Sequence, residues 1–463
     1  MITRADIVER ANEWGLSESV VEKDYVIGWL LWGIGAHPLL SRSWAFKGGT
    51  CLKKCFFETY RFSEDLDFSV LPGSPFQDAA QVFDEAVVRR AIDEVLEAVQ
   101  EASGLNVFAR DLYLKPRNHG RGLEGRVYYL GPTGSTQVAK IKLDISGTEA
   151  VVRPTVMAKI CHSFPDVLPG PASVRAYSFE EVFAEKIRAM GERGRPRDLY
   201  DIVNLYRHQG LGRAPELIRE VLIEKCVSKG VEVPTEETVL GASTLPELWS
   251  EWENMLGHQL PDLPPVEAYV EELRSLFRWL QGELDLEELP AFNTGMGEQA
   301  AWTPPPIISL WGVAGIESLR FAAANLLLVK IGYKGGFRLV EPYSLRRTMA
   351  DDLLLYAQRP EQNQIKSYRV DRIHGIEVQR EVFEPRYPVD FTPGGSITAR
   401  PTRRGPGSRG GLLGRTRSPD RPYAVRCPRC EKIFRRKRPS TRLNAHKDPS
   451  GFLCSARTGI RIE

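Results

Sequence analysis

A chain of 463 residues, 42% hydrophobic and 26% charged, has the composition of a folded globular protein with room for two to four domains. No apolar run reaches the roughly 20 residues needed to cross a bilayer, and residues 1–10 lack the apolar segment of a signal peptide. We therefore expect a cytoplasmic protein without a membrane partner, whose seven cysteines are thiols or metal ligands rather than disulfides.

The formal net charge of +2 conceals a strong asymmetry between the two ends of the chain. Residues 396–463 contain 18 Lys or Arg against 4 Asp or Glu, whereas residues 1–395 contain 44 against 56. A basic tail on an acidic body predicts a polyanionic partner for the tail, and nucleic acid is the usual one.

Apolar spacing in the first 285 residues predicts a mixture of many helices and few strands, which is the order of an α+β (α/β) fold. Helical spacing predicts helices over 17–32, 50–57, 78–103, 178–190 and 196–207, with further helical patterns to about 284. Alternating or short apolar runs predict strands over 44–46, 66–70 and 139–145.

The rest of the chain divides by composition into four segments. Proline and glycine mark a linker over 286–306, and residues 307–393 read as a helix over 316–329 followed by short strands. These strands are expected near 337–341, 353–357, 367–373 and 376–382. Residues 394–422 read as a flexible basic linker, and 423–463 as a separate small module.

Two carboxylates stand on the predicted strand over 66–70. Asp65 and Asp67 are two residues apart, so they face the same way while Leu66 and Phe68 enter the core. Clustered carboxylates repel one another, and a divalent cation such as Mg²⁺ (or Mn²⁺) relieves that repulsion while also binding phosphate oxygens. The alternative is that both are solvated side chains at a strand end.

Further residues fit the same metal and phosphate chemistry. Asp144 shares the polar face of the next predicted strand and could complete a set of three acids for Mg²⁺. The Gly48-Gly49-Thr50 turn before a helix would let backbone N–H groups approach a phosphate, with the Thr50 hydroxyl as a further donor. Each feature alone is also compatible with an ordinary turn or a solvated strand.

Two later helices each carry one charged candidate. Lys186 lies at the edge of the apolar side of the helix over 178–190, where it either extends to solvent or clamps a nucleotide phosphate. Asp198 begins the next helix, where an acid is also favoured by the helix dipole.

The ordered set resembles the AbiEii family of nucleotidyltransferase toxins over roughly residues 15–280. The resemblance rests on four separated motifs, which are residues 22–25, the stretch from Gly48-Gly49-Thr50 through Arg61-x-Ser63-x-Asp65-x-Asp67, the lysine motif around 186 and the aspartate motif around 198. It implies a nucleotidyltransferase fold, with a small mixed sheet, flanking helices and a helical C-terminal half. It also implies that Asp198 is an active-site acid, either a base or a group that orients the acceptor.

The function expected from this resemblance is transfer of a nucleotide from a nucleoside triphosphate to an acceptor hydroxyl in a toxin–antitoxin or phage-defence setting. In this family acceptors include the 3′ end of tRNA, and a separately encoded antitoxin is the usual partner. The expected catalytic residues are Asp65, Asp67, Asp144, Lys186 and Asp198. The expected nucleotide-binding residues are Gly48, Gly49, Thr50, Lys53, Arg61, Ser63 and Lys186.

Residues 338–391 resemble WYL-type domains, which are small Sm-like β modules that bind nucleic acid or nucleotide-like ligands. The Trp-Tyr-Leu run that gives these domains their name is absent here, with Leu354-Leu355-Tyr356 nearby instead. Four arginines could contact phosphates or could simply lie on solvated strand faces, namely Arg346, Arg347, Arg369 and Arg372.

The last module contains a spacing typical of a structural zinc site. Cys427 and Cys430 form a Cys-x2-Cys pair, and His446 and Cys454 follow within the same short span. Four N and S ligands at this spacing fit tetrahedral Zn²⁺, whereas the alternative is a group of reduced surface thiols. A nucleic-acid contact is predicted at Arg435, Arg436, Lys437 and Arg438.

Two classes of function therefore compete. In the first, the chain is a toxin-like nucleotidyltransferase whose appended modules recruit or sense RNA or DNA. In the second, it is a nucleic-acid-binding regulator that keeps an inactive transferase fold as a scaffold. The full acidic set with Lys186 favours the enzyme, since a scaffold gains nothing from clustering like charges.

Overall fold

A computed structural model describes residues 1–208, 215–241, 244–284, 289–293, 298–299, 303–310, 313, 315–392, 423–427, 430–436, 446–447, 453–454 and 460–461. The chain forms two compact units, Met1–Thr402 and Arg403–Glu463. Among the described helices, none combines the length and the apolar character that a membrane span requires.

The first part of the larger unit contains eleven α-helices among its described residues. They are α1 Arg4–Trp14, α2 Glu18–Ala36, α3 Leu40–Ser43, α4 Gly48–Cys51, α5 Glu85–Ser103, α6 Phe179–Arg193, α7 Pro196–Tyr206, α8 Pro215–Lys229, α9 Glu236–Val239, α10 Thr244–Leu256 and α11 Val266–Leu280. A π-helical turn, Leu52–Phe56, continues α4. The helical C-terminal half expected from the sequence is confirmed.

Seven strands form a mixed sheet in the order β3-β4-β5-β2-β1-β7-β6. They are β1 Trp44–Lys47, β2 Asp65–Val70, β3 Asn106–Arg117, β4 Gly122–Leu130, β5 Ala139–Ser146, β6 Val156–Lys159 and β7 Ser173–Ala176. The β2·β5 and β1·β7 pairs are parallel, and the others are antiparallel. The prediction of a small sheet with few strands was wrong, because β3, β4, β6 and β7 were not recognised.

The predicted helix over 78–103 begins seven residues later than expected. Asp84 is the N-cap of α5, and its side chain accepts hydrogen bonds from the backbone N–H groups of Ala86 and Val87. The preceding residues make a short β-bridge between Gln77 and Phe83. An aspartate cap therefore defines the start of this helix.

Helices α2 and α5 cover one face of the seven-stranded sheet. Both helices and the sheet contribute to one hydrophobic cluster that includes Leu30, Val95, Phe68 and Leu143. Gly33 allows the two helices to approach closely, because a Cβ there would lie 2.8 Å from Val99 and 2.9 Å from Val95. Residues on alternate positions of β2 and β5 thus enter this core, and their polar neighbours point to the other face.

The second sheet has five antiparallel strands in the order β11-β10-β9-β8-β12 and packs on helix α12, Ile316–Ala324. Its strands are β8 Leu327–Tyr333, β9 Gly336–Arg347, β10 Leu353–Gln358, β11 Ile365–Arg369 and β12 Ile373–Val382. The predicted helix over 316–329 was too long, because Asn325 ends it and Leu326 takes φ +55° to enter β8. The four strands predicted after that helix are confirmed, with shifted ends.

Helices α6–α11 and the second sheet share one hydrophobic core, to which Leu199, Tyr269, Val329 and Leu345 all contribute. Asn325 at the end of α12 accepts hydrogen bonds from the hydroxyls of Tyr200 and Tyr269, at 3.0 and 2.8 Å. The second sheet is therefore tied to the helices behind the first sheet by buried polar contacts as well as apolar packing.

In the smaller unit the described backbone forms two short sheets. One has the order β14-β13-β17, from Ile433–Arg436, Tyr423–Arg426 and Ile460–Arg461. The other pairs β15 His446–Lys447 with β16 Leu453–Cys454. Val425 and Cys427 are buried at its centre.

Candidate active site

Three carboxylates converge on the face of the first sheet opposite α2 and α5. Asp67 on β2 lies directly opposite Asp144 on the parallel strand β5, and Asp65 lies two residues before Asp67 on the same face. On the other side of Asp67, Lys47 of β1 is its antiparallel partner. The sheet register therefore brings together the three acids that sequence spacing singled out.

Asp67 is buried close to two other acids, Asp65 and Asp144, and close to the ammonium group of Lys47. Burial raises the pKa of Asp67, Lys47 opposes this shift, and the charges of Asp65 and Asp144 reinforce it. Burial also lowers the pKa of Lys47 to about 8, although Glu185 and Asp67 act in the opposite direction. Like charges clustered in this way are costly unless a cation joins them.

Asp144 lies at the outer edge of the cluster and is partly exposed. Arg117 on β3 lies 3.5 Å from its carboxylate and also pairs with Glu124, the residue opposite Asp144 on β4. Lys142 lies 3.8 Å from the same carboxylate. Asp144 thus faces solvent between two cations, while Asp67 is the more enclosed acid.

The glycine turn packs directly against Asp67. Gly48 has φ +81°, and a Cβ at this position would lie 2.3 Å from Asp67 Oδ2. A Cβ on Gly49 would lie 2.2 Å from the Arg61 guanidinium. Only glycine fits this close approach of backbone to carboxylate. The Thr50 hydroxyl, expected to face a phosphate, donates to the Asp65 carbonyl at 2.5 Å and so fixes the turn to β2.

Lys186 of α6 lies between two acids of α7. Its ammonium is 2.7 Å from Asp201 and 3.5 Å from Asp198, and its charge also acts on Asp67. Asp198 is buried and accepts two hydrogen bonds from Arg193, at 2.7 and 2.9 Å. The lysine and aspartate that the sequence singled out on α6 and α7 are therefore in contact.

Asp201 is the central residue that sequence reasoning missed. It is fully buried, and it binds Lys186, the Tyr60 hydroxyl and two nitrogens of Arg61. Burial raises its pKa, but Arg61 and Lys186 outweigh this and hold the pKa well below its usual range. Its position one helical turn after Asp198 was the available signal.

The remaining nucleotide-binding candidates lie in different environments. Arg61 is buried, and its guanidinium donates hydrogen bonds to the side chains of Asp201 and Gln259 rather than facing a nucleotide. Ser63 is partly exposed just before β2. Lys53 is directed elsewhere: its ammonium donates to the Glu58 carbonyl and lies 4.5 Å from the Phe62 ring, in a separate cavity of about 160 Å³.

Three arginines of the second sheet pair with acids that lie just outside its strands. Arg346 lies 3.4 Å from Asp390, Arg347 pairs with Asp351, and Arg369 lies 2.7 Å from Asp352. These contacts agree with the interpretation of arginines on strand faces, and they leave the resemblance to WYL-type domains as a prediction.

A second candidate site lies in the smaller unit. The ligand atoms of Cys427, Cys430 and His446 all lie within 4.8 Å of one another, and Cys430 Sγ is 3.3 Å from His446 Nε2. The backbone of Cys454 is opposite His446 in the β15·β16 pair, while its side chain lies outside the described residues. The side chains of Arg435, Arg436, Lys437 and Arg438 lie outside them too.

The structure brings close together the glycine turn, the three aspartates and Lys186, which are residues on which the resemblance to a nucleotidyltransferase family rested. The family model described as "Nucleotidyl transferase AbiEii toxin, Type IV TA system" matches residues 29–278, and the chain belongs to this family. The resemblance seen in the sequence motifs is thereby confirmed. No curated protein matches the chain.

A solved structure similar to this chain is MenT4, a nucleotidyltransferase toxin from Mycobacterium tuberculosis H37Rv. It shares 23% sequence identity, and the match covers 62% of this chain and 91% of that chain, with a TM-score of 0.41.

Proposed function

We propose that the protein is a Mg²⁺-dependent transferase that moves a nucleotide from a nucleoside triphosphate to an acceptor hydroxyl of RNA, as the 3′ end of tRNA would offer. The observation that carries the proposal is the opposition of Asp67 and Asp144 across two parallel strands, with the Gly48 backbone against Asp67. Family membership supports the reaction class.

Asp65, Asp67 and Asp144 are the residues that would hold Mg²⁺. The fit rests on the donor set: burial and the charges of Asp65 and Asp144 raise the pKa of Asp67 against the opposing charge of Lys47, and hard oxygen ligands suit this metal. When bound, the metal would neutralise phosphate charge and polarise the phosphorus centre. The same donor set would accept Mn²⁺.

The chain's own residues would orient the triphosphate. The turn from Gly48 to Thr50 would present backbone N–H groups to phosphate oxygens, and Lys186 would add a positive charge that Asp198 and Asp201 hold in place. Because Asp198 is buried between Lys186 and Arg193, we assign it the role of positioning these cations.

The test is incorporation of label from each nucleoside triphosphate into total bacterial RNA by the purified full-length protein. Asp67→Asn should reduce incorporation at least a thousandfold while preserving the fold. The matched variant Asp93→Asn, on α5 behind the opposite sheet face, should retain activity. Full activity of Asp67→Asn would refute the metal site, and absence of incorporation by the native protein would favour the regulator with an inactive scaffold.

The remaining parts of the chain fit this setting. We propose that the cysteine and histidine cluster, with Cys454, binds a structural Zn²⁺, and that the basic segment around it contacts nucleic acid. The family's type IV systems suggest a separately encoded antitoxin as a protein partner. Binding of a nucleotide-like ligand by the second sheet would follow from its resemblance to WYL-type domains.

A further inference from the structure

We infer that the face of β3, β4 and β5 beside the carboxylates binds the single-stranded end of the acceptor RNA, an inference that rests on the proposed function. This face carries tyrosines and cations in an ordered array that leads away from Asp67 and Asp144. We call it the acceptor face, and its residues are Arg110, Tyr113, Arg126, Tyr128, Lys140 and Lys142.

Register places these side chains in two rows across the strands. In the nearer row, Lys142 is opposite Asp65 on one side and Arg126 on the other, and Arg126 is opposite Tyr113. This row lies two residues, about 6.6–6.8 Å, along the strands from the pair of Asp67 and Asp144. The acceptor face therefore begins immediately beside the acids.

The farther row continues in the same direction. Lys140 is opposite Tyr128, and Tyr128 is opposite Arg110. Arg110 and Lys140 are exposed, and Tyr128 is partly exposed, whereas its neighbour Tyr129 is buried in the core beneath. The Tyr128 ring therefore lies on the outer surface of the sheet. Packing of the hydrophobic core does not explain a tyrosine at this position.

A bulge in β3 makes this array possible. Arg110 and Tyr113 are three residues apart, and in a regular strand they would point to opposite faces. A register shift between them allows both to pair with residues of β4 that share one face, Tyr128 and Arg126. Bulges of this kind re-aim side chains, often next to active sites.

Each tyrosine lies beside a guanidinium. Arg126 is 4.7 Å from the centre of the Tyr113 ring, and Arg110 is 5.7 Å from that of Tyr128. Arginine and tyrosine planes are stacking surfaces for bases, and the nearby lysines can neutralise phosphates. Stacking requires bases that are free of a duplex, so the array favours a single strand over a helix or an acidic protein surface.

A cleft of about 790 Å³ extends the path at the far end of the acceptor face. Arg110, Tyr128 and Lys140 line it, together with polar side chains of the loop before β5 and the N-terminal turns of α2, such as Gln137 and Lys23. The cleft adjoins the farther row, so it extends the surface that begins with the nearer row beside the acids. A nucleoside triphosphate bound at the acids would not need a binding surface of this length, whereas an RNA strand would.

The experiment uses the full-length protein and a single-stranded RNA 12-mer of mixed sequence with 4-thiouridine near its 3′ end. Irradiation should link the RNA to peptides from 106–117 or 122–130, and the Tyr113→Leu/Tyr128→Leu variant should lose about 90% of these adducts. Tyr113→Phe/Tyr128→Phe, which keeps the stacking rings, should retain them. A blunt RNA duplex should not compete.

Steady-state rates add a second measurement. The leucine pair should raise KM for the RNA about tenfold and leave KM for the triphosphate unchanged. Lys140→Glu should act similarly, whereas Arg90→Glu, an exposed charge change on α5, should not. Adducts confined to residues 396–463, or retained by the leucine pair, would overturn the inference. Adducts on β3 and β4 without any nucleotide transfer would instead refute only the proposed function.

Discussion

Arg61 and Asp201 form a two-pronged ion pair in the interior of the protein, with N–O distances of 2.6 and 2.7 Å. Arg61 precedes β2 and Asp201 belongs to α7, so the pair joins the segment before the metal-site acids to the helix that orients Lys186. Both side chains are buried. The pair should therefore contribute both to the stability of the fold and to the position of Lys186 relative to the metal-site acids.

Arg61→Ala should destabilise the protein by about 3–5 kcal/mol, because it leaves the Asp201 carboxylate buried with Lys186 as its remaining ion-pair partner among the described residues. The measurement is the urea midpoint followed by circular dichroism. Removing both charges in Arg61→Met/Asp201→Leu should recover part of the loss. Equal midpoints for Arg61→Ala and the native protein would contradict a structural role for this pair.

Gly48→Ala should abolish transfer and destabilise the protein by about 1–3 kcal/mol, because φ is +81° and the added Cβ would collide with Asp67. Gly73→Ala is the matched control: φ is +77° there, but nothing lies within 4 Å of the added Cβ. Gly73→Ala should lose only the stability that the backbone strain costs, and it should keep full transfer activity. Similar activity losses in both variants would argue against a specific role of the turn.

Sequence periodicity predicted that Asp65 and Asp67 face the same side of their strand, because apolar and polar residues alternate along it. Leu66 and Phe68 are buried in the core, so Asp65 and Asp67 point to the other face of the sheet. This follows from the alternation of side chains along one strand and does not depend on which strands are its neighbours. The neighbourhood of Asp144 could not be predicted in the same way. Its position opposite Asp67 depends on the parallel β2·β5 pairing, a register that no local pattern encodes.

The missed strands have a physical explanation in their composition. β3 contains charged residues, a proline and register shifts, so its apolar positions do not alternate cleanly. β4 begins with glycine and contains another at Gly125, where a Cβ would lie 3.1 Å from Leu143 on the neighbouring strand. Such strands are stabilised by their partners, and a single-sequence pattern does not reveal those partners.

Glu185 should give the protein a distinct acid-sensitivity. Burial alone would raise its pKa, but Lys225, a hydrogen bond from Arg188 and the charge of Lys47 outweigh this and lower the pKa to about 2. Because the pKa in the folded state lies below the ordinary value of 4.5, the stabilising contribution is complete above pH 4.5. It is lost as the pH falls towards 2.

Glu185→Gln should therefore lower the free energy of unfolding by a few kcal/mol at pH 7, and the difference from the native protein should shrink between pH 4.5 and 2. Urea unfolding at a series of pH values measures this. Glu97→Gln, exposed on α5, is the control and should follow the native curve. A difference that stays constant down to pH 2.5 would exclude the paired carboxylate as its cause.

Purified protein should contain one Zn²⁺ per chain, and Cys430→Ser should reduce the metal content at least tenfold, because the Cys430 Sγ lies 3.3 Å from His446 Nε2 within the cluster. Plasma mass spectrometry of protein dialysed against a weak chelator measures the content. Cys454→Ser, which removes the proposed fourth ligand, should weaken retention as well. Cys161→Ser, a change in the larger unit, should retain the metal.

Since so small a unit draws much of its stability from the metal, chelation should also make residues 423–463 sensitive to protease while leaving residues 1–392 resistant. Resistance of both parts after the metal is removed would show that the smaller unit does not depend on zinc.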